Sequence, residues 1–380
     1  MHPLDEYPIH QAPLTMDRVV SSDRNAYDRY YFNAHDRTGE VFLVSGFGVY
    51  PNLGVTDAYV TVRAGDRQVT VRMSDAMGEG ADDDRLHPSV GAYRIEIIEP
   101  LQSVRIVCDT PDLGLSVDIT WTGSFPAVEE PAHVMRTAGK VILDACRFAQ
   151  VGTWSGAITL DDQTWDVTDD TWVGTRDRSW GIRPVGEPEP AGRAAAEADP
   201  NYGFWWMYTP IRFDDYAIVL IAQEDADGHR ILNEAVRVWP ADDGRKPEQL
   251  GWPRFDTHYR PGTRDPIGTT VQLTEPDGTP LTLEIETVND GEGYVALMAG
   301  PGYGGDPDWG HGQWKGREWV ERFEVDMNAP ALVARLPFGM KDHVGKATIG
   351  DAVGWGLFEH ATIGAHAPSG FTDFMSVAPE

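Results

Sequence analysis

Cysteine and lysine are both scarce in this 380-residue chain: Cys108 and Cys146 are its only cysteines, and five lysines stand among 31 basic residues. Two cysteines, far apart and flanked by apolar side chains, exclude a disulfide scaffold or a cysteine-based zinc framework. They predict buried, reduced thiols in a cytoplasmic protein. No window approaches the roughly eighteen consecutive apolar residues a spanning helix needs, and the opening "MHPLDEYPIHQAP" has neither a basic nor an apolar leader region, so neither a membrane span nor a signal peptide is expected. The nucleophile elbow Gly-x-Ser-x-Gly, a phosphate-binding loop, a dinucleotide glycine fingerprint and a Cys/His zinc pattern are all missing, and no cofactor and no metal are expected. Sixty acidic residues set the net charge at −29, a field that repels phosphate backbones and anionic lipid and argues against a nucleic-acid partner. Clusters such as "GEGADDDR" read as solvated, charge-bearing loops.

Thirteen tryptophans, by contrast, exceed what a core requires and suit a site for an apolar ligand. Alternation of β-branched and polar residues runs through "EVFLVSGFGVY", "DAYVTVRAGDRQVTVRM", "LSVDITW", "DYAIVLIAQED" and "LTLEIETV", each bounded by turn residues. Long amphipathic helical stretches are absent; "AGRAAAEAD" reads as a linker, and "RILNEAVRVW" as a short helix or a strand. The pattern predicts an all-β fold. The stretch from Val185 to Pro200 breaks the alternation with proline, alanine and charge, which places a boundary there and predicts two domains, 1–190 and 191–380. The halves echo each other in order: "TDAYVTVRAGDRQVTVRM" with "FDDYAIVLIAQEDADGHRILNEAVRVW", "LGLSVDITW" with "TPLTLEIETV", and "TRDRSWG" with "GDAVGWGLFEH". Duplication of one β-barrel-like module explains this order.

In "TRDRSWGIRP", Thr175 to Pro184, three arginines and an aspartate surround a tryptophan. On a strand, alternation turns Arg176 and Arg178 to one face and Asp177 and Ser179 to the other. Together with the preceding "RFAQVGTWSGAITLDDQTWDV", this segment resembles the signature of the carotenoid 1,2-hydratase (hydroxyneurosporene synthase)-like superfamily, whose members carry Asp-His-x-Trp-Gly or Asp-Arg-x-Trp-Gly after a strand and a short loop. The resemblance implies two tandem lipocalin-like antiparallel β-barrels, a fold shared with kievitone hydratase and fungal lipocalin-like Diels–Alderases. Asp177, Trp180 and Gly181 fall on the motif. Arg178 stands where many relatives have histidine, and because guanidinium does not deprotonate at working pH, a proton-shuttling role does not carry over to it.

Hydration of an alkene, or its reverse, needs an acid, a positioned water and walls that tolerate positive charge. A carboxyl in an apolar hollow keeps its proton to higher pH, and Asp177 beside Trp180 fits that acid; the alternative is an ionised Asp177 bridged to Arg176 and Arg178. "NYGFWWMYTP" offers Trp205, Trp206 and Tyr208, with neighbours alternating between a core face and a pocket face. The glycine-rich "GPGYGGDPDWGHGQWKGREW" adds Tyr303, Trp309 and Trp314 as a ligand-covering loop, and His311 as a general base; its acids lack calcium-loop spacing. "GWGLFEHATIGAH" sets Glu359, a second buried acid or a partner for one of the arginines, and His360 on opposite faces, and Tyr50 and Asn52 lie at a barrel mouth or an ordinary turn. Asp177, His311 and Glu359 are thus the catalytic candidates, and Arg178, Trp180, Trp205, Trp206, Tyr208, Tyr303, Trp309 and Trp314 the binding candidates. The functions that fit are a cofactor-independent hydratase, dehydratase or isomerase on a hydrophobic, isoprenoid-like molecule, a lipocalin-type carrier, or a pericyclase.

Overall fold

The computed structural model describes residues 3–8, 18–78, 84–137, 139–188 and 202–380. It is all-β: one sheet has 14 strands and a second has 10, and every pairing between them is antiparallel. Helix among the described residues is limited to single turns such as Pro330–Val333. "RILNEAVRVW" is the strand Arg230–Val238, while "AGRAAAEAD" and the boundary at 190/191 lie outside the described residues.

The central order of the first sheet runs through Arg67–Ala76, Val55–Ala64, Val41–Tyr50, Ala26–His35, Val173–Ile182, Lys140–Leu160, Leu115–Gly123, Ser103–Thr110 and Tyr93–Glu99. The second runs through Arg230–Val238, Ala217–Glu224, Gly203–Arg212, Ala352–Gly364, Lys341–Ile349, Pro280–Thr287, Pro266–Thr274 and Arg254–Tyr259. In both, the last long strand of the unit returns to pair with the first: Val173–Ile182 with Ala26–His35, and Ala352–Gly364 with Gly203–Arg212. The echoes of "LGLSVDITW" in "TPLTLEIETV" and of "TRDRSWG" in the late strand therefore fall on equivalent positions. The echo of "TDAYVTVRAGDRQVTVRM" in "FDDYAIVLIAQEDADGHRILNEAVRVW" is one strand out of step, since the hairpin 217–238 occupies the place of 41–64.

Central strands are buried on both faces, as all ten residues of Ala26–His35 are, because one face fills a barrel and the other meets the second barrel. Peripheral strands such as Leu115–Gly123 keep the in–out alternation of a half-solvated sheet. Three apolar clusters follow: one inside the first barrel around Trp121, Trp154 and Phe32, one inside the second around Trp205, Phe358 and Leu283, and a third along the seam, where Tyr31, Phe42 and Val151 meet Trp206, Tyr208 and Leu357. Cys108 is buried as expected, whereas Cys146 is exposed, because its side chain points off the sheet at a strand position paired with Trp180.

Between the neighbouring strands Pro280–Thr287 and Lys341–Ile349 the chain leaves the second barrel. It lays Trp319–Asp326 against Arg67–Ala76 as an extra strand of the first sheet and then returns. Buried Gln68 fastens this excursion through both polar atoms of its amide, donating to the Ala296 and Ala299 carbonyls and accepting from the Ala296 N–H.

The interior of the first barrel is filled. The turn Pro3–Glu6 places the Glu6 carboxylate 2.6 Å from Arg176, whose guanidinium lies 4.4 Å from the Trp121 ring centroid. Arg178 donates to Asp28 at 2.6 Å and lies 3.8 Å from the centroid of Tyr30. Breaking a buried ion pair costs more than the pair contributes, because one charge is left desolvated. Arg178→Ala should therefore destabilise the protein by about 3–5 kcal/mol, read as a lowered urea midpoint with the far-ultraviolet β signal retained in the folded baseline.

Candidate functional site

The seam between the barrels encloses a cavity of about 240 Å³. Its first-barrel wall comes from Ala26–His35, Lys140–Leu160 and Val173–Ile182, and its second-barrel wall from Gly203–Arg212, Ala217–Glu224 and Ala352–Gly364. Tyr303 and Met340, from the excursion, complete it. Apolar lining is supplied by Phe204, Trp206, Ile221, Leu143 and Met135.

The two-residue period of Val173–Ile182 decides which side chains arrive here. Arg176 and Arg178 enter the first barrel, and Asp177 and Ser179 enter the cavity. The ion-paired alternative for Asp177 is not what forms: both flanking arginines are committed to Glu6 and Asp28, and among the described residues no side chain hydrogen-bonds to the Asp177 carboxyl. Desolvation pushes Asp177 up to about 6, against the lowering influence of Arg147, Arg29, Arg183 and Arg178.

Glu359 occupies the corresponding place in the second barrel. Asp177 pairs across its ladder with Tyr31, and Glu359 with Tyr208. Trp206 Nε1 donates to Glu359 Oε1 at 2.5 Å, and the neighbouring strand brings Asp342 alongside, where Tyr31 donates to its Oδ2 at 2.5 Å. Among the described residues no backbone N–H and no hydroxyl donates to Asp342 Oδ1. The carboxyl of Glu359, which burial and then the charge of Asp342 raise well above the ordinary range, supplies a donor if it keeps its proton. Asp177 therefore changes charge just below neutrality, while burial and the adjacent Asp342 favour the protonated form of Glu359.

Further titratable groups complete the cavity. Arg147 Nε lies 3.0 Å from Glu130 Oε2, yet burial still raises Glu130 to about 7. His133 is lowered to about 4 by burial and by Arg147, whose Nη2 lies 3.2 Å from its Nδ1, so the ring is neutral and carries its proton on Nε2. It stacks on Trp206 with centroids 6.2 Å apart. Arg29, Glu130, His133, Arg147 and Asp342 were not singled out in the sequence. The acid and imidazole of "EEPAH", in a stretch without alternation, and the lone acid of the buried strand "KDHVG" were the available signals.

Of the binding candidates, Trp206, Tyr208 and Tyr303 line the cavity. Arg178, Trp180, Trp205 and Trp314 do not. Arg178 is turned into the first barrel, and Trp180 shares its side of the strand. Trp205 stacks on His366 inside the second barrel, and Trp314 is exposed. His311 and Trp309 line instead an outer groove of about 810 Å³ that shares Arg183 and Tyr303 with the cavity. His311 is held well below its usual range by burial and by Arg29, and its Nε2 donates to the Pro301 carbonyl at 2.6 Å. The glycine-rich loop bearing it is fastened to the first barrel: Gly312 N–H donates to Asp57 at 2.6 Å, and Asp306 accepts from the Gly300 N–H and faces Arg72. Gly312 has φ +79°, and a Cβ there would meet the Tyr50 ring at 3.0 Å. Tyr50 itself donates to Asp57, and Asn52 ties the turn to the Ser21 and Asp23 carbonyls.

Among the described residues, one group of side chains is close enough to share a cation, Asp225, Asp227 and His229. It lies on a hairpin turn away from the cavity, and Asp225 already accepts three hydrogen bonds within that turn.

Fold and site together define a tandem lipocalin-like protein with a carboxyl-rich cavity at the junction of its barrels. Residues 1–372 match a family of unknown function, DUF8625, and the chain belongs to that family. In structure it is similar to an AttH-assigned protein of Nitrosomonas europaea, at 13% identity and TM-score 0.52 over 92% of this chain and 98% of that one. It also matches kievitone hydratase of Nectria haematococca (11% identity, TM-score 0.48, covering 93% and 96%) and CghA (12%, 0.48, covering 89% and 88%). At these identities the likeness is one of fold, and the fold is the one the sequence resemblance implied. None of the curated protein sequences matches the chain. No helix among the described residues is long and apolar enough to cross a membrane.

An aspartate raised from 3.8 to about 6 binds its proton more tightly in the folded protein than in the unfolded chain. Its contribution to stability is full below the unfolded value and is lost as pH rises through about 6. Asp177→Asn should consequently be more stable than the wild type at pH 8, by on the order of 2 kcal/mol, with the difference closing toward pH 4. Urea midpoints across that range measure it.

Proposed function

We propose that the cavity performs acid–base chemistry without a cofactor on a small, largely apolar molecule, as a hydratase, dehydratase or isomerase. The observation that carries this reading is Asp177: a carboxyl facing a partly open, ring-lined cavity, without a hydrogen bond from any described residue, and poised near neutrality across the seam from Glu359, whose proton is favoured by burial and by Asp342. A structural carboxylate is normally saturated with donors; an unsaturated one has capacity left for a substrate.

In the hydration direction Glu359 gives its proton to one alkene carbon. Water adds to the other, and the proton the water loses passes to Asp177. Dehydration runs the same steps backward, and isomerisation uses the two carboxyls without water. The faces of Trp206 and Tyr208 stabilise positive charge as it develops on carbon. The raised affinities of both groups for protons match them to this work, since a proton donor and acceptor are most effective when they titrate near the working pH. The domain division at 190/191 belongs to this proposal, because it makes each barrel the donor of one carboxyl.

Removing either carboxyl should lower kcat by about 10²–10⁴ while ligand still binds. The assay is incubation with a lipid extract of the source cells in ¹⁸O- or deuterium-labelled water, followed by mass spectrometry. Wild-type protein should place label in a product, and Asp177→Asn and Glu359→Gln should not. Ligand recovered intact and unlabelled would make the protein a carrier, and a rearranged product without label would make it a pericyclase.

A further inference from the structure

The polar atoms of the cavity show a pattern that acid–base chemistry on a hydrocarbon does not require. Arg29, 5% exposed, lines the cavity, with its Nη2 3.3 Å from His311 and its guanidinium 5.3 Å from the centroid of Tyr303, but its Nη1 has no hydrogen-bond partner. Tyr208 Oη, in the same lining, is likewise buried without a partner among the described residues, while Gln223 and His133 beside it interact with each other. Buried polar groups are ordinarily satisfied, and leaving one without a partner is costly. Two such groups on one space, one of them a guanidinium, point to a ligand that carries polar atoms of its own. Arg183, half-buried over the ring of Tyr27, makes no side-chain hydrogen bond or ion pair among the described residues.

Charge decides which polar atoms fit. Arg29, Arg147 and Arg183 all line the cavity. Of the three acids in the lining, Glu130 is already opposite Arg147, and burial with the neighbouring Asp342 favours the protonated form of Glu359, which leaves Asp177 to face Arg29 and Arg183; beyond the lining Arg29 also feels the buried Asp57, itself pushed up to about 7 by desolvation. Both of these arginines lie toward the outer groove: Arg183 lines it directly, and Arg29 contacts its His311 and Tyr303. The ring-lined part of the cavity lies between the sheets.

On the cavity assigned above, we propose that the natural ligand is an organic anion, a carboxylate or an enolate-type oxygen acid, whose charged end is held by Arg29 and Arg183 at the mouth while an apolar body fills the seam between the barrels. A planar guanidinium with a free N–H is suited to a carboxylate, and charge-assisted hydrogen bonds of this kind are the strong ones. The space of about 240 Å³ suits an apolar body of eight or so carbons rather than a long polyene.

The test is isothermal titration of the full chain at pH 6.5 with octanoate and with 1-octanol, which share a body and differ in the end group. Octanoate should bind at least about tenfold more tightly, and Arg29→Gln should remove most of that preference. Arg183→Gln, at a half-buried position without an ion pair, should also reduce it and serves as the control if the Arg29 variant fails to fold. Equal affinities, no measurable octanoate binding, or a preference untouched by Arg183→Gln together with a folded Arg29→Gln overturn the proposal. Because binding is read without turnover, a protein that selects octanoate but never transfers solvent label keeps this inference and loses the catalytic one, and the reverse result separates them equally.

Discussion

Burial of side chains in the barrel seam is the constraint on which the rest depends. A strand buried on both faces must send alternate side chains into two different interiors, and Val173–Ile182 does so with charged residues on each side. Its arginines enter a barrel where Glu6 and Asp28 meet them, so their charge is neutralised locally. Its aspartate enters a space where no donor meets it. The same backbone period that makes a stable core on one side therefore makes a reactive group on the other.

Duplication gives the seam its chemical character. Each barrel returns its last long strand to its first, and each places a carboxyl on that strand opposite a tyrosine, Asp177 with Tyr31 and Glu359 with Tyr208. The two units then diverged in the third strand. Ala149 is the ladder partner of Asp177, whereas Asp342 is the partner of Glu359. A like charge beside one carboxyl and a methyl group beside the other are enough to separate their proton affinities, because two carboxylates in a dry site cannot both ionise cheaply. The asymmetry that lets one group donate while the other accepts thus follows from the carboxyl beside Glu359 on one side and the arginines around Asp177 on the other.

The fold was legible in the sequence because turn residues punctuate strands at regular intervals and the two halves repeat in order. The alternation that separated Asp177 from its neighbouring arginines was legible for the same reason: period two holds whatever the partners are. Local pattern could not tell which interior each face meets. Trp205 and Trp206 are adjacent and chemically alike, yet one packs the second barrel and the other lines the cavity, a difference set by which way the strand faces when the barrels dock. Glu130, His133 and Arg147 sit on segments whose sequence shows no contact between them; the pairings of Val128–Glu129 and of His133–Thr137 with the long strand Lys140–Leu160, and the Glu130 N–H donating to the Arg147 carbonyl, bring them together. His311 was drawn to the site by its residue type, but the glycines that allow its loop to bend also let the Pro301 carbonyl reach its ring.

The cavity owes its closure to the excursion between Thr287 and Lys341 rather than to either barrel alone. Tyr303 and Met340 seal it, and the loop that carries Tyr303 is held by the contacts of Asp57 and Arg72 with the first barrel. Four arginines act on Asp177 and each favours its ionised form, yet burial outweighs them together. Were water admitted, the desolvation that raises Asp177 would fall away while the attraction of the cations, though screened, kept its sign, and the carboxyl would return toward an ordinary aspartate. The proton affinity of the site is in this sense a property of a connection that contributes neither of the two proposed catalytic carboxyls, which explains why a segment from the second half of the chain is built into the first sheet as an edge strand.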